Sequence, residues 1–528
     1  MKISLVSVEN SITAIGFRKI AAVARKIRPD VEVCYLVPMG ERAFFKLLFK
    51  KREIEPDLFP EELARIGQHL GRSDLVCFSS MTPFAEVTQK VIAVVRQANP
   101  KTYIVWGGVH AIVNPEDAIR SADGICVGEG ETAFRNFLEA FLAGKDPTTV
   151  KNFWFNKGGR IIRNEFLPLQ TSAEMDGFPY PLYADNEVIY RRGKGFIPMG
   201  RDEYLSYNDL VYNTVWSIGC PYKCTYCSNS KFSKNHKDYR NLRHPSVDYI
   251  IGEIKHVLGK HPHISTVRFH DDSFMAIPLE TLKHFSEKWR QVIRVPFSVY
   301  GLIPVFVNRE KMKVLVRSGM EGVRMGIQSG SDKILKFYNR PNRPGLIADS
   351  MSIIGEFTPY MSPPYYDIIV DNPIETKQDL TDTLEVMYHA PRPYTILVYA
   401  LRMIPGTEMA EDFEKRGIPV ESITKGYVAT IPSLANTMIF LLSVCKLPQG
   451  IYRAFLKNVV PYSEQPGYCV LFPFARFLYK VKNALDLIRS LDFSIFPGRA
   501  GWLIWKLGII RFIQRRRLDR AYREINLD

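Results

Sequence analysis

The chain has 528 residues, 46% of them apolar, and a formal charge of +15 from 70 Lys plus Arg against 55 Asp plus Glu. This length predicts two to four domains with ordinary cores. Eight cysteines are too sparse for a disulfide framework, and no cationic, apolar, small-residue leader opens the sequence, so a reduced, cytoplasmic protein is expected rather than an exported one.

From the start, apolar runs of strand length alternate with helix-period segments. Strands are expected at Ile3 to Val8, Val31 to Val37, Leu75 to Ser79, Tyr103 to Trp106 and Gly124 to Val127. Helices are expected near Gly16 to Ile27, Glu61 to Leu70, Phe84 to Ala98, Glu116 to Ala122 and Glu131 to Leu142. Continuous apolar strands alternating with helices imply an α/β fold over residues 1–145, a doubly wound, Rossmann-like parallel sheet covered on both faces. Ligands of such sheets gather beyond the carboxyl ends of the strands. Three loops at those ends carry glycines, hydroxyls and backbone amides suited to a bulky ligand: Ser79-Ser80-Met81-Thr82, Gly107-Gly108-Val109-His110 and Gly128-Glu129-Gly130-Glu131. Each loop taken alone is equally consistent with plain turn chemistry.

Residues 146–212, with Pro168, Pro179 and Pro181 and a polar stretch from Tyr190 to Asp209, read as a linker packed between domains. A second alternating series follows, with strand-like runs at Asn213 to Ile218, Thr266 to His270, Phe297 to Leu302, Val323 to Ile327, Tyr366 to Val370 and Ile396 to Leu401. Six such units over 213–410 predict a partial, TIM-like (β/α)6 barrel with its chemistry at the carboxyl ends of the strands. Residues 411–528 are expected to form a basic, apolar and mainly helical region.

Cys220, Cys224 and Cys227 follow the first strand of this second series as Cys-x3-Cys-x2-Cys, with no fourth cysteine nearby. Three thiolates can hold three irons of a four-iron, four-sulfur (4Fe-4S) cube and leave the fourth iron open for a ligand. The bland alternative is zinc, which favours four closed ligands in two pairs. The other cysteines, Cys34, Cys77, Cys126, Cys445 and Cys469, are scattered singly through apolar runs.

This triplet, with aromatic Tyr226 before its third cysteine, resembles the signature of the radical S-adenosylmethionine (SAM) enzymes. The resemblance implies that Cys220, Cys224 and Cys227 ligate the cluster, that SAM chelates the open iron, and that the Tyr226 backbone faces the adenine. Phe269-His-Asp-Asp-Ser-Phe274 is similar to an element of the cobalamin-dependent members; its Asp271 and Asp272 would bind the SAM ammonium or orient substrate, with a helix amino-terminal cap as the plain alternative for one of them. Gly326-Ile-Gln-Ser-Gly-Ser331 is similar to the family's Gly-Ile-Glu-Ser-Gly-Ser and implicates Gln328 and Ser329 in SAM binding, Gln328 keeping the hydrogen-bonding capacity of the commoner acid. Asp371 to Thr376 and Pro405 to Thr407 look like later strand-end motifs, although Pro and Gly are ordinary after strands.

The first 145 residues resemble the cobalamin-binding domain that precedes the cluster in one large radical SAM group. That implies a cobalamin site formed by Ser79, Ser80, Met81, Thr82, Gly107, Gly108, His110, Gly128, Glu129 and Gly130. The chain departs from other cobalamin enzymes in having no Asp-x-His-x-x-Gly; cobalt would bind without a protein nitrogen, or the domain would have lost the cofactor. The resemblance implies homolysis of SAM by the reduced cluster, hydrogen abstraction from an unactivated carbon, and methyl transfer from methylcobalamin, with a one-electron donor such as flavodoxin or ferredoxin. A cyclase or rearrangement enzyme without methyl transfer, and a non-catalytic sensor, remain the alternatives.

From Lys446 onward there are 15 Lys plus Arg and 6 Asp plus Glu. Residues 500–517 join an apolar stretch with two tryptophans to a cationic end, too short to cross a bilayer and suited to lie on an anionic one. Arg42 to Arg52 is a second segment of this type; for both, a core-packed helix with a solvated basic edge is the plain alternative. These segments motivate a hydrophobic or lipid-like substrate and a peripheral contact with the inner membrane surface. No nucleic-acid partner is expected, because the cations are interleaved with long aliphatics.

Overall fold

The structure, a computed structural model, describes residues 1–38, 58–184, 186–423, 430–464, 467–493 and 499–526. Arg42 to Arg52 lies outside the described residues. Two sheets organise the chain. The first has nine strands in the order β7-β6-β5-β4-β3-β1-β2-β8-β9. Its centre is the expected parallel set, β1 (Ile3–Val8), β2 (Glu32–Leu36), β3 (Leu75–Ser80), β4 (Tyr103–Gly107) and β5 (Gly124–Cys126). All six residues of β1 are buried, as expected of a strand covered on both faces. Helices Ile15–Ile27 and Gly130–Leu142 cover one face, and Pro60–Leu70 and Ala85–Ala98 the other. The helix expected at Glu116 to Ala122 is two short ones, Val109–Val113 and Pro115–Ala118; Pro115 has no N–H to continue the first and starts the second.

The stretch 146–212, expected as a linker, contributes four strands to the first sheet. The hairpin β6 (Phe153–Lys157) and β7 (Arg160–Arg163) pairs antiparallel with β5. Its two-residue turn, Gly158-Gly159, has φ of 62° and 90°, the mirror-image turn whose twist suits a hairpin. At the opposite edge β8 (Glu187–Arg191) runs parallel to β2 and pairs with β9 (Gly195–Pro198). A buried ion pair fixes this edge: Arg18 Nη1 donates to Glu187 Oε1 at 3.0 Å, and the Tyr35 hydroxyl donates to the same oxygen at 2.7 Å.

The second sheet is parallel throughout and in sequence order: β10 (Val211–Thr214), β11 (Thr266–Phe269), β12 (Phe297–Leu302), β13 (Met320–Gln328), β14 (Tyr365–Val370) and β15 (Thr395–Ala400). The first strand stops at Thr214 rather than Ile218 because the next backbone N–H groups, of Trp216 and Ser217, donate to the Asp271 carboxylate instead of a neighbouring strand. The carboxyl-terminal part is helical, as expected. Helix Phe472–Arg489 covers the free side of β15, its Tyr479 hydroxyl donating to the Ile396 carbonyl at 2.7 Å, while Gln514 in helix Ile509–Glu524 donates to Ser265 O just before β11. The segment 500–517 is two helices broken at Gly508, whose φ is 77°. No described helix is long and apolar enough to cross a membrane.

Candidate active site

The carboxyl ends of both sheets open onto one cavity of about 760 Å³. From the first sheet it is lined by Ser79, Met81, Gly107, Gly108, Gly128, Glu129 and Gly130, together with the loop after β1 from Glu9 to Gly16. The second sheet contributes Asn213, Arg268, His270 and Asp272, and Asp492 comes from the segment after helix Phe472–Arg489. The order β3-β1-β2 reverses chain direction across β1, so the loops after β1 and β3 flank a topological switch point, where open α/β sheets bind ligands. The β1 loop carried no glycine-rich signature and escaped sequence reading.

The remaining residues expected around cobalamin face elsewhere. Ser80 is fully buried and its Oγ accepts from Trp106 Nε1 at 3.0 Å. Thr82 is buried among the helix contacts that follow. His110 is also buried; its ring packs beside Trp106 and its Nε2 lies 3.0 Å from Asp117 Oδ2, pointing away from the cavity. These three hold the loops, whereas Ser79, Met81 and the glycines present them. Gly108 shows why: its φ is 89°, and a Cβ there would meet Ser80 O at 2.7 Å. Gly107 has nothing nearer than 3.8 Å to its Cβ position, leaving backbone free for a large ligand. The loops fit cobalamin as a cradle of backbone with a cavity of ligand size above it, and no imidazole reaches that cavity from the first sheet.

Glu129 also ties this cradle to the cysteine loop. Its carboxylate pairs with Arg243, Nη2 to Oε1 at 2.6 Å, and accepts from Gln170 N at 2.9 Å. The backbone of Arg243 in turn exchanges two hydrogen bonds with Ile218, at 2.8 and 2.9 Å, two residues before Cys220.

Cys220 and Cys224 are buried and Cys227 half-buried; Cys227 stands at the amino-terminal cap of helix Ser228–Asn235, whose dipole favours negative charge there. Burial first, then the nearby Asp272 carboxylate and Cys224, pushes the Cys220 and Cys227 thiols up to about 12, so loading a metal cluster here must release protons. Among the described residues, the group of His, Cys, Asp and Glu whose ligand atoms all lie within 4.8 Å is Glu32, Cys34 and His69, far along β2. The three thiols do not form such a group, whereas a tetrahedral zinc with Zn–S bonds of about 2.3 Å would hold its sulfurs roughly 3.8 Å apart.

Arg340, which the sequence did not single out, reaches this loop. Its Nη1 lies 3.9 Å from Cys224 Sγ and 3.3 Å from the Tyr226 hydroxyl, and its Nη2 donates to Gly326 O. Tyr226 itself packs edge-on against Tyr338, ring centroids 5.0 Å apart. One guanidinium thus joins the cysteine loop to the end of β13.

The two carboxylates at the end of β11 divide. Asp271 is buried and accepts from Trp216 N at 3.0 Å and from Ser217 N and Oγ at 2.5 Å each; burial raises it to about 6. It holds the approach to the cysteines and caps no helix. Asp272 turns to the cavity; packing around it raises its pKa, and a bond from Asn229 opposes that. At β13, Gln328 ends the strand with φ of 73°, where the register with β14 shifts. Ser329 is fully buried, its Oγ 3.2 Å from Thr383 Oγ1 and accepting from Ser331 N at 3.1 Å. Ser329 shapes the turn and offers its hydroxyl to no cavity.

The barrel interior is polar. Alternate residues of otherwise apolar strands point inward: Arg268 on β11, Tyr300 on β12, Arg324 on β13, Asp367 on β14 and Tyr399 on β15. Arg268 pairs with Asp492 at 3.1 Å, and Arg324 with Asp367 at 2.8 Å and the Tyr399 hydroxyl at 2.7 Å. Tyr300 sits between the two guanidiniums, 5.2 and 5.6 Å from their carbons. His270 lies at the top of this stack on the cavity wall, Nε2 2.8 Å from Asn213 Oδ1. Burial, then the charges of Arg268 and Arg324, lower it to about 3, which keeps the ring neutral with one nitrogen free to accept. A TIM barrel with a packed centre would carry branched aliphatics at these positions.

A sheet with a ligand cradle, and a six-stranded barrel with three clustered thiols at its mouth, define a cofactor-dependent α/β enzyme. Residues 1–138 match the B12 binding domain model, and residues 214–387 match that of the radical SAM superfamily. The chain is a cobalamin-dependent radical SAM enzyme, with an iron–sulfur cluster, SAM and cobalamin as its cofactors. It is 23% identical over 359 residues to an uncharacterized methyltransferase of Pyrococcus horikoshii, covering 67% of this chain and 72% of that one. It is also 23% identical over 381 residues to the anaerobic magnesium-protoporphyrin IX monomethyl ester cyclase of Cereibacter sphaeroides, covering 68% of this chain and 55% of the relative. Among solved structures the fold resembles the cobalamin-dependent SAM radical enzyme OxsB with aqua-cobalamin bound, at a TM-score of 0.61 and 13% identity over 99% of this chain and 84% of that one. It resembles the radical SAM methyltransferase TsrM of Kitasatospora setae at 0.60 and 13%, over 80% of this chain and 77% of that one.

Proposed function

We propose that this enzyme methylates an unactivated carbon of a small molecule with an apolar body and at least one polar group. The observation that supports it is the shared cavity: the cobalamin cradle and the mouth carrying the cysteine loop open onto the same space, with apolar walls from Phe17, Ile20, Val105 and Phe134 and a polar floor from Asn213, Arg268, His270 and Asp272. In this reading Cys220, Cys224 and Cys227 hold the cluster, Gln328 and the Tyr226 backbone lie at the SAM site, and Ser79, Met81, Gly107, Gly108, Gly128 and Gly130 cradle cobalamin. When bound, these cofactors supply a carbon-centred radical and a transferable methyl group, and a one-electron donor must feed them.

The chain's own residues orient and protect. Neutral His270 accepts a hydrogen bond from the substrate, since its Nε2–H is committed to Asn213. Asp272, exposed to the cavity, binds a cationic or hydroxyl group of SAM or of the substrate. Glu129 and Arg243 keep the cradle in register with the cysteine loop, and the carboxyl-terminal helix over the open edge of the second sheet limits water and competing hydrogen donors. The hydrophobic or lipid-like character of the substrate belongs to this proposal; the polar floor adds a head group to it.

A second reading, ring formation or rearrangement without methyl gain, is favoured by the likeness to the magnesium-protoporphyrin ester cyclase. The test is anaerobic reconstitution with iron, sulfide and hydroxocobalamin, then mass analysis of SAM products and of a candidate apolar substrate pool. Methyl transfer predicts both 5′-deoxyadenosine and S-adenosylhomocysteine, with a product heavier by one methylene unit. Formation of 5′-deoxyadenosine with a product lacking that gain supports the second reading and removes the first.

A further inference from the structure

The tryptophan-bearing segment 500–517, expected to meet a membrane, packs both tryptophans against the protein while Leu503, Leu507, Ile509 and Phe512 stay exposed. Trp502, Ile504 and Trp505 pack against Leu205, Leu210, Phe493 and Ile510. A second and longer apolar surface is also left uncovered. The loop leading into helix Phe472–Arg489 exposes Tyr468, Val470 and Leu471, and Val470 at its tip is 82% exposed. Along the helix, Phe474, Phe477, Leu485 and Ile488 continue outward at spacings of three, eight and three residues, with half-exposed Val481 bridging the middle gap. This is one helical stripe. The opposite face docks on the protein: Phe472 and Ala475 are buried, and Asp486 accepts from the Thr395 hydroxyl at 2.6 Å on β15.

Charge identifies what covers the stripe. From Lys446 to Arg489 the sequence has seven Lys plus Arg and two Asp plus Glu, and one of those acids, Asp486, is already occupied by Lys482. Arg476 and Lys480 lie on the same helix as the stripe, and Arg453 and Lys457 on helix Gln449–Lys457, which also exposes Ile451. Aromatics and aliphatics at a loop tip, continued along a helix and flanked by cations, match the boundary of an anionic bilayer: the apolar groups enter the acyl region and the cations meet the headgroups. A soluble surface rarely exposes so many large apolar side chains in one continuous stretch.

We propose that the loop 468–471 and the outer stripe of helix Phe472–Arg489 form a docking surface for anionic lipid membranes. The surface lies on the carboxyl-terminal cover of the barrel, and the inference does not rest on methyl transfer, because binding is read without turnover.

The test uses the full chain, reconstituted with its cluster, in flotation with phosphatidylcholine vesicles and with vesicles containing phosphatidylglycerol. Binding is expected to the anionic vesicles, weaker at high salt, and at least tenfold weaker in the double variant V470E/F474E. The double variant R476E/K480E is expected to lose binding to anionic vesicles while the salt dependence flattens. Unchanged cluster absorbance and an unchanged thermal midpoint establish that both variants are folded; should V470E/F474E fail that check, Val470→Ser with Tyr468→Ser replaces it. Absence of binding to anionic vesicles at low salt overturns the proposal. So does equal binding by the glutamate variants, or a dimer in light scattering that V470E/F474E dissociates, which would make a second copy the occupant.

Discussion

The adjacent carboxylates Asp271 and Asp272 have opposite tasks, and separate replacement tells them apart. Trp216 and Ser217 are buried, so Asp271→Ala leaves two buried backbone N–H groups without an acceptor, at about 1–3 kcal/mol each and roughly 2–6 kcal/mol together. Relief of the buried charge offsets part of this: a carboxyl moved from 3.8 to about 6 carries a cost of about 3 kcal/mol once ionised at neutral pH. The expected net change in global stability is therefore small, from a gain of about 1 kcal/mol to a loss of about 3 kcal/mol, while the approach to Cys220 loses its anchor. The sensitive assay is iron and sulfide per chain after anaerobic reconstitution, with denaturant unfolding as the control. Asp271→Ala should retain less than half the cluster content, and Asp272→Asn should retain all of it with at least tenfold slower 5′-deoxyadenosine formation. Full iron occupancy in Asp271→Ala, or cluster loss in Asp272→Asn, would refute the division of roles.

Gly108→Ala places a side chain at a φ of 89° and 2.7 Å from Ser80 O; strain of about 1–3 kcal/mol should weaken cobalamin retention on gel filtration by tenfold or so while iron content stays unchanged. Glu129→Gln breaks the pair with Arg243, and the expected signature is uncoupling, with more 5′-deoxyadenosine formed per product molecule at similar cofactor contents. Burial raises Glu375 from 4.5 to about 8, so between those pH values the folded chain holds a proton that the unfolded chain has lost, and stability falls as pH rises through that window. Glu375→Gln cannot ionise; in urea unfolding it should match the parent near pH 5 and exceed it above pH 8, by about 2–5 kcal/mol, and equal slopes for the two proteins would contradict the assignment.

What could be read from the sequence follows from where each signal is written. Strands β1 to β5 are largely buried on both faces, so their apolar runs announce them within a residue or two, whereas β11 to β15 keep a partly polar face and the runs read there miss the ends of β10 and β13 by three or four residues; the cysteine spacing is local chemistry that needs no tertiary context. The hairpins in 146–212 were equally marked, by Gly158-Gly159 and by alternation in Glu187–Arg191, but the decision to place one at each edge of the same sheet depends on pairings with β5 and on the Arg18–Glu187 contact across 169 positions. Motifs located segments without telling which side chain faces the ligand. In Asp271-Asp272 the two carboxylates are alike until Trp216 and Ser217 claim the first, and in Gln328-Ser329 the hydroxyl is claimed by Thr383 and the following turn.

The polar barrel interior carried a usable sequence signal, a charged residue set between apolar neighbours on a strand, in Val267-Arg268-Phe269, in Val323-Arg324-Met325 and in Tyr366-Asp367-Ile368, with polar His270 two positions after Arg268. Period-two polarity normally marks a strand with one face in water. In a parallel strand flanked on both sides by partners and covered outside by helices, the polar face has only the lumen to point into. The same alternation fits a lumen that admits the polar groups of the proposed substrate, and Arg324→Met is expected to leave cluster content intact and raise KM for a substrate carrying an anionic or hydroxyl group more than it lowers kcat. An unchanged KM would mean that Arg324 and Asp367 serve only each other.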